Sequence, residues 1–279
     1  MCNVKMVGLL IAAVCAMLPF KGMAQEETID GLQTAVTPQF LESVCAPYFD
    51  QEPYLEEYIQ SFPFENYKVY QVERDSIFYV DGINDTIKNV VRTGSLWERH
   101  IIAKIPDLVW EGSVAVDVGG HIGTHALIHS RAVGEHGTVH VFEPQNKLFP
   151  ELLINMALNG RNNIVFHHEA LGKDDSWVEL CVLNPNDEGG RYIGSGGERV
   201  KMSRLDDLHL QNVSLIEIDV EGYEMNVLAG ARETIARCKP ALVIEIWPHA
   251  RQQQKILEIR DLGYREIYID SSNLLFLPI

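Results

Sequence analysis

From residue 113 onward, short apolar runs alternate with amphipathic stretches, and few folds accommodate that alternation. "SVAVDVG" reads as a buried strand and "THALIHSRAV" as the helix that follows it. "GTVHVFEP" repeats the strand, and "NKLFPELLINMALNG" repeats the helix, with Gly160 placed as its stop. "NIVFHHEALG" is a third strand with its loop. "VSLIEIDVEG" leads into the helix "YEMNVLAGARETIARC", and "PALVIEIW" into "RQQQKILEIRDLG". Strands and helices in this rhythm predict a doubly wound α/β domain with a mostly parallel sheet. "WVELCVL" and "ERVKMSRL" read as an inserted hairpin, while "REIYID" and "NLLFLP" are expected to close the chain as a terminal β-pair. Ligands of such sheets bind beyond the C-terminal strand ends.

The turn after the first of these strands, "AVDVGGHIGTHAL", narrows the ligand. A dinucleotide fingerprint would need glycines at 118, 120 and 123, and position 118 is Val. The pattern present is Asp117, Gly119 and Gly123. A carboxylate at the strand end is ill suited to a pyrophosphate and well suited to a cation. The methionine portion of S-adenosylmethionine carries an ammonium and a sulfonium and no phosphate, and amides at a helix start can hold its carboxylate. Glu143 ends the next strand, where an acid can take both ribose hydroxyls of a nucleoside.

Residues 94–247 resemble the FkbM family of S-adenosylmethionine-dependent methyltransferases. The resemblance is carried in order by "GSLWE", "VDVGGHIGTHAL", "FEPQNKLFPELLINMALNG", "EALG", "SRLDDL", "LIEIDVEGYEMNVLAGA" and "KPALVIEIWP". Gly120-His121 stands where the family more usually has Ala-Asn. The resemblance implies a class I methyltransferase core, Rossmann-like, with an antiparallel terminal strand, and transfer of a methyl group to oxygen on a sugar or other small-molecule or glycan acceptor. It places Asp117, Gly119 and Gly123 around the methionine end, Glu143 on the ribose, and Glu169-Ala170 beside the adenine. Trp97 and Glu98 approach the cofactor from the preceding segment. Asp219 and Glu221 face the methyl group as the catalytic pair. Apart from the resemblance, Glu245 and His249 flank the end of the fifth strand near this site, where a substrate role and a structural one are both open. Asp219 and Glu221 are two apart on a segment read as extended, so both can face one side. A divalent metal held by these acids is the alternative to a general base.

Other residues have plainer readings. Asp206 and Asp207 in "SRLDDL" are expected to cap rather than to catalyse. His167 and His168 are adjacent strand residues and should point to opposite faces. His125 and His129 lie one helical turn apart and could share a ligand; with no carboxylate partner visible in the sequence, they read as packing residues. Cys45, Cys181 and Cys238 fit no metal spacing and read as small buried hydrophobes.

Residues 1–24 carry Lys5, an apolar stretch from Val7 to Phe20 and small residues before Gln25, the pattern of a cleaved signal peptide. The run is short for a bilayer span, so export to the periplasm or outside is expected, with a signal anchor as the alternative. Residues 25–95 read as a linker and small N-terminal cap, opened by Thr37-Pro38 as a helix start, and residues 96–279 as the methyltransferase domain. A net charge of −16 with no basic run argues against nucleic acid. Two other functions fit an exported chain of this pattern: a non-catalytic S-adenosylmethionine-binding protein and, against Val118, a nicotinamide-dependent oxidoreductase.

Overall fold

The computed structural model describes residues 37–46, 66–182, 188–248 and 251–279, so the expected export segment and His249 lie outside the described residues. The described residues divide into two compact units, those up to 97 with 150–162, and those of 98–149 with 163–279.

In the first unit, helix α1 (Pro38–Cys45) opens as its sequence predicts. Pro38 occupies the first turn and the Thr37 hydroxyl accepts the Phe40 N–H at 3.2 Å. Strands β1 (Lys68–Val72) and β2 (Ser76–Val80) form an antiparallel hairpin with Lys68 opposite Val80. Asn155 accepts the Tyr79 N–H at 2.7 Å and Asn159 the Ile77 N–H at 3.1 Å, so two asparagine side chains satisfy one edge of that hairpin. Helix α2 (Thr86–Arg92) is capped by Asp85. Its Lys88 is fully buried, with Nζ 3.0 Å from Asp81 and 2.7 Å from Glu151.

The second unit begins with two single turns, α3 (Arg99–Ile102) and α4 (Ile105–Leu108). Strand β3 (Val114–Val118), helix α5 (Thr124–Ala132), strand β4 (Thr138–Phe142), helix α6 (Leu148–Leu158) and strand β5 (Ile164–His167) follow. Helix α6 starts in this unit, and its residues from Pro150 belong to the first. After β6 (Ala170–Leu171), β7 (Ser176–Val182), β8 (Arg191–Gly194) and β9 (Glu198–Ser203) come β10 (Val213–Ile218), α7 (Glu224–Gly230), α8 (Arg232–Cys238), β11 (Ala241–Glu245), α9 (Gln252–Arg260), β12 (Tyr264–Tyr268) and β13 (Asn273–Pro278). The main sheet runs β12-β13-β11-β10-β3-β4-β5. The five strands from β11 to β5 are parallel, and β12 and β13 close the edge antiparallel, as the alternation predicts. Strand order reverses beside β3, which sets the switch point, where ligands bind in such sheets, at the ends of β3 and β10. All six residues of β10 are buried, so this strand is the middle of the core.

Three expectations are corrected. The insert is not a lone hairpin but a four-stranded sheet, β6-β9-β7-β8, because Ala170 and Leu171 pair in parallel with Met202 and Ser203. The helix expected over 223–238 breaks at Ala231, since the Asp206 carboxylate accepts the N–H groups of Glu233 and Thr234 at 3.0 and 2.8 Å and starts a new helix there. The segment carrying Asp219 and Glu221 is not extended: β10 ends at Ile218 and Glu221 turns left-handed at φ +49°. Among the described residues no helix is long and apolar enough to cross a membrane.

Candidate active site

At the switch point the glycine turn packs against the end of β10. Gly119 has φ +101°, and a Cβ there would stand 2.0 Å from the Asp219 carbonyl oxygen, so only glycine lets the two strand ends pass. The N–H groups of Gly119 and Gly120 donate to the Phe142 carbonyl at 2.9 and 3.0 Å, which draws the turn onto the end of β4. Gly123, at φ +94°, is the N-cap of α5. Glu143 fixes both sides of this corner: its carboxylate accepts the His121 N–H and the Gln145 N–H, each at 2.9 Å. It is only 3% exposed, and burial pushes its pKa up to about 7 against the lowering effect of those two bonds.

Beyond this corner four acids gather. Glu98 accepts the Asn273 side-chain amide at 3.0 Å, and burial raises its pKa. The carboxyl oxygens of Asp219, Glu221 and Glu245 lie within 4.8 Å of one another, near enough to share a proton or a cation. Burial, then the neighbouring Asp219 charge, lifts Glu245 to about 9, so Glu245 holds a proton at neutral pH and donates it to Asp219. Asp219 is raised too, first by desolvation of its carboxyl, although the residue as a whole is exposed. Asp219 and Glu221 therefore meet through a turn rather than through strand alternation. Glu98, His121 and Glu221 all adopt positive φ, a strained conformation for non-glycine residues.

Behind the glycine turn, Asp117 faces helix α5. It is in register with Glu217 on the adjoining strand, and the two carboxylates look toward His125 and His129. The His125 Nδ1 is 2.7 Å from Glu217 Oε1, and the His129 Nε2 is 2.9 Å from Glu217 Oε2. Burial alone would raise Glu217, but His125 and then His129 outweigh it and hold the carboxyl well below its usual range. Burial pushes Asp117 up to about 6. Sequence reasoning did not find this partner for the histidines; the signal was an acid, Glu217, inside an otherwise apolar strand.

The remaining candidates are placed as follows. Glu169 is half-buried and paired with Lys201 at 2.9 Å, and Ala170 is buried at the start of β6. Trp97 is half-buried at the end of the first unit. His167 stacks on Phe142 and His168 on Phe149, which fits opposite faces and separates the two rings. Gln145 and Asn146, unforeseen from sequence, join the loop after β4 to the inserted sheet through the Glu188 carbonyl at 3.0 Å and the Glu198 carboxylate at 2.9 Å.

Residues 117–266, more than half of the chain, match the family model described as the methyltransferase FkbM domain. A protein of Beauveria bassiana (strain ARSEF 2860) named Methyltransferase 1 is 27% identical over 157 residues, which cover 46% of this chain and 61% of that protein. Among solved structures, the methyltransferase FkbM of Methylobacillus flagellatus KT aligns with a TM-score of 0.44 at 20% identity, over 61% of this chain and 44% of that one. Aeropyrum pernix fibrillarin, with natively bound S-adenosyl-L-methionine, aligns with a TM-score of 0.43 at 14% identity, over 77% of this chain and 94% of its own.

Proposed function

We propose that this chain, which belongs to the methyltransferase FkbM domain family, transfers the methyl group of S-adenosylmethionine to a hydroxyl oxygen of a sugar or other small-molecule acceptor. The observation that carries the reading is the convergence of Glu98, Asp219, Glu221 and Glu245 beside the glycine turn. Acids at a switch point fit a cofactor that is cationic at its reactive end, and a buried carboxylate at Glu143 fits a ribose diol. When bound, the cofactor supplies an electrophilic methyl carbon on a sulfonium that leaves as a neutral thioether.

The residues of this chain then have separate tasks. Gly119 and Gly123, with Asp117 behind them, hold the methionine end, and Glu143 accepts from the ribose hydroxyls. Glu169 and Ala170 border the adenine, with Glu98 on the preceding segment. Asp219 takes the acceptor proton as its oxygen bonds to carbon, a role worth about 10²–10⁴ in rate for a positioned base. Glu245 donates its own hydrogen bond to Asp219, so the pair carries one negative charge rather than two at neutral pH. Glu221 closes the turn that holds Asp219 in place.

Asp219→Asn and Glu221→Gln keep shape and remove charge. With radiolabelled methyl donor and an accepted alcohol, Asp219→Asn should lose about 10²-fold or more in kcat at nearly unchanged cofactor affinity. Native rates in both variants would mean that these acids only shape the turn. Transfer abolished by a chelator and restored by Mg²⁺, an oxygen-liganded cation, would replace the general base with a cation at the same acids.

A further inference from the structure

We propose that Asp117, His129 and Glu217, with His125 hydrogen-bonded to Glu217 beside them, form a site for one divalent transition-metal ion of the zinc class, buried behind the glycine turn. The four residues come from three elements that the fold fixes. His125 and His129 are one turn apart on α5 and present their rings on one face. Asp117 of β3 and Glu217 of β10 are paired in register on adjoining parallel strands, which puts their carboxyls side by side on the face toward that helix. One ligand atom each from Asp117, His129 and Glu217 lies within 4.8 Å of the others, and the His125 Nδ1 stands 2.7 Å from Glu217.

Hydrogen bonding leaves this group incomplete. Asp117 Oδ2, both ring nitrogens of His129, His125 Nε2 and Glu217 Oε2 are buried without a hydrogen-bond partner. The His129 Nε2 is close to Glu217 at 2.9 Å but misaligned for a hydrogen bond, and the His129 Nδ1 is 3.8 Å from Asp117, beyond hydrogen-bond reach. Buried polar atoms are almost always paired, and His125, which burial would lower but Glu217 raises to about 10, offers one positive charge to two buried carboxylates. One dication held by a neutral imidazole and two carboxylates supplies the missing partners and the missing charge at once. Tetrahedral bonds of about 2.0–2.1 Å set neighbouring ligand atoms about 3.3 Å apart, and one atom each of Asp117, His129 and Glu217 already lies within 4.8 Å of the others. An imidazole among the ligands favours zinc, and its first-row neighbours, over magnesium or calcium. Asp117, His129 and Glu217 are 3%, 0% and 5% exposed, so protein would surround the ion and make it structural. It would pin α5 to the strands that carry the glycine turn and Asp219.

Asp117 is shared with the methyl-transfer reading, where it lies behind the turn glycines, so the test reads the metal directly rather than activity. The full chain, purified and stripped with a chelator, is titrated with Zn²⁺ by calorimetry and with Co²⁺ by visible absorption. One equivalent per chain with the intense bands of tetrahedral cobalt is expected. Glu217→Gln and His129→Asn should abolish those bands, and Glu221→Gln, in the separate acid cluster, should retain them. Should the core variants not fold, His125→Gln, at a partly exposed position, should still weaken Zn²⁺ by about 10- to 100-fold or more and alter the cobalt spectrum. Failure of Zn²⁺ and Co²⁺ to bind the wild-type chain would overturn the site. So would undiminished binding in His125→Gln, or loss of the ion in Glu221→Gln with retention in Glu217→Gln. Loss of S-adenosylmethionine binding with the metal site intact would count against the methyl-transfer reading alone.

Discussion

Burial holds the carboxyl of Glu143 at about 7 in the folded chain, against an ordinary value of 4.5. A raised acid stabilises the fold fully below its unfolded value and loses that contribution as pH climbs through the folded one. Stability of the cofactor-free protein should therefore fall between about pH 4.5 and 7, by roughly 2–3 kcal/mol from this group. Cofactor binding runs the other way, because ribose hydroxyls donate best to the carboxylate, so affinity should rise as pH passes 7. In Glu143→Gln both pH dependences should flatten, and affinity at pH 8 should drop about 10- to 100-fold. Thermal melts and calorimetric titrations across pH 5–8 check the pair of trends. Gly119→Ala is the second residue to test: its Cβ would meet the Asp219 carbonyl, so the variant should lose cofactor binding and melt at lower temperature than the native chain. Asp117, Gly119, Gly123 and Glu143 were legible because strand-end acids and turn glycines have local signatures. Glu217 was not, since its partner His125 is 92 residues away in the chain, and no local pattern states that a strand acid will face a particular helix.

Strands and helices of the parallel sheet were legible for a related reason, as each buries one predictable set of apolar positions. Breaks in elements were less so. The start of α8 depends on Asp206, 27 and 28 residues upstream of the amides it accepts. The role read for Asp206 was a cap close by in sequence, and the structure makes it a cap for a distant helix. Asp206→Ala should cost about 1–2 kcal/mol, measured by chemical denaturation, with cofactor affinity unchanged. Glu221 was misread as extended because "IDVEG" continues an apolar strand, and the left-handed turn there follows from close passage of the strand ends rather than from composition. Within the first unit, Lys88 is the least replaceable side chain of α2, since it stands between Asp81 and Glu151 in a dry setting. Lys88→Met leaves those two acids facing each other and should destabilise by about 3–5 kcal/mol in the same measurement.

At the scale of the whole molecule, the family match and the sheet order agree on one α/β core. We propose export with cleavage before Gln25, motivated by Lys5 and the apolar stretch after it. Mass spectrometry of the protein from its native host should find Gln25 first, and an intact Met1 in the cytosolic fraction would refute export. The inserted sheet joins the loop after Glu143, so acceptor selection should respond to changes in that sheet more than to changes at the β12–β13 edge. All of this depends on the ligand at the switch point. The most direct measurement is calorimetric titration of the purified protein with S-adenosylmethionine, with its demethylated product and with NAD. Saturable binding of the first two, weakened in Glu143→Gln and absent with NAD, is the predicted result. Binding of NAD with none of S-adenosylmethionine or its product would contradict it.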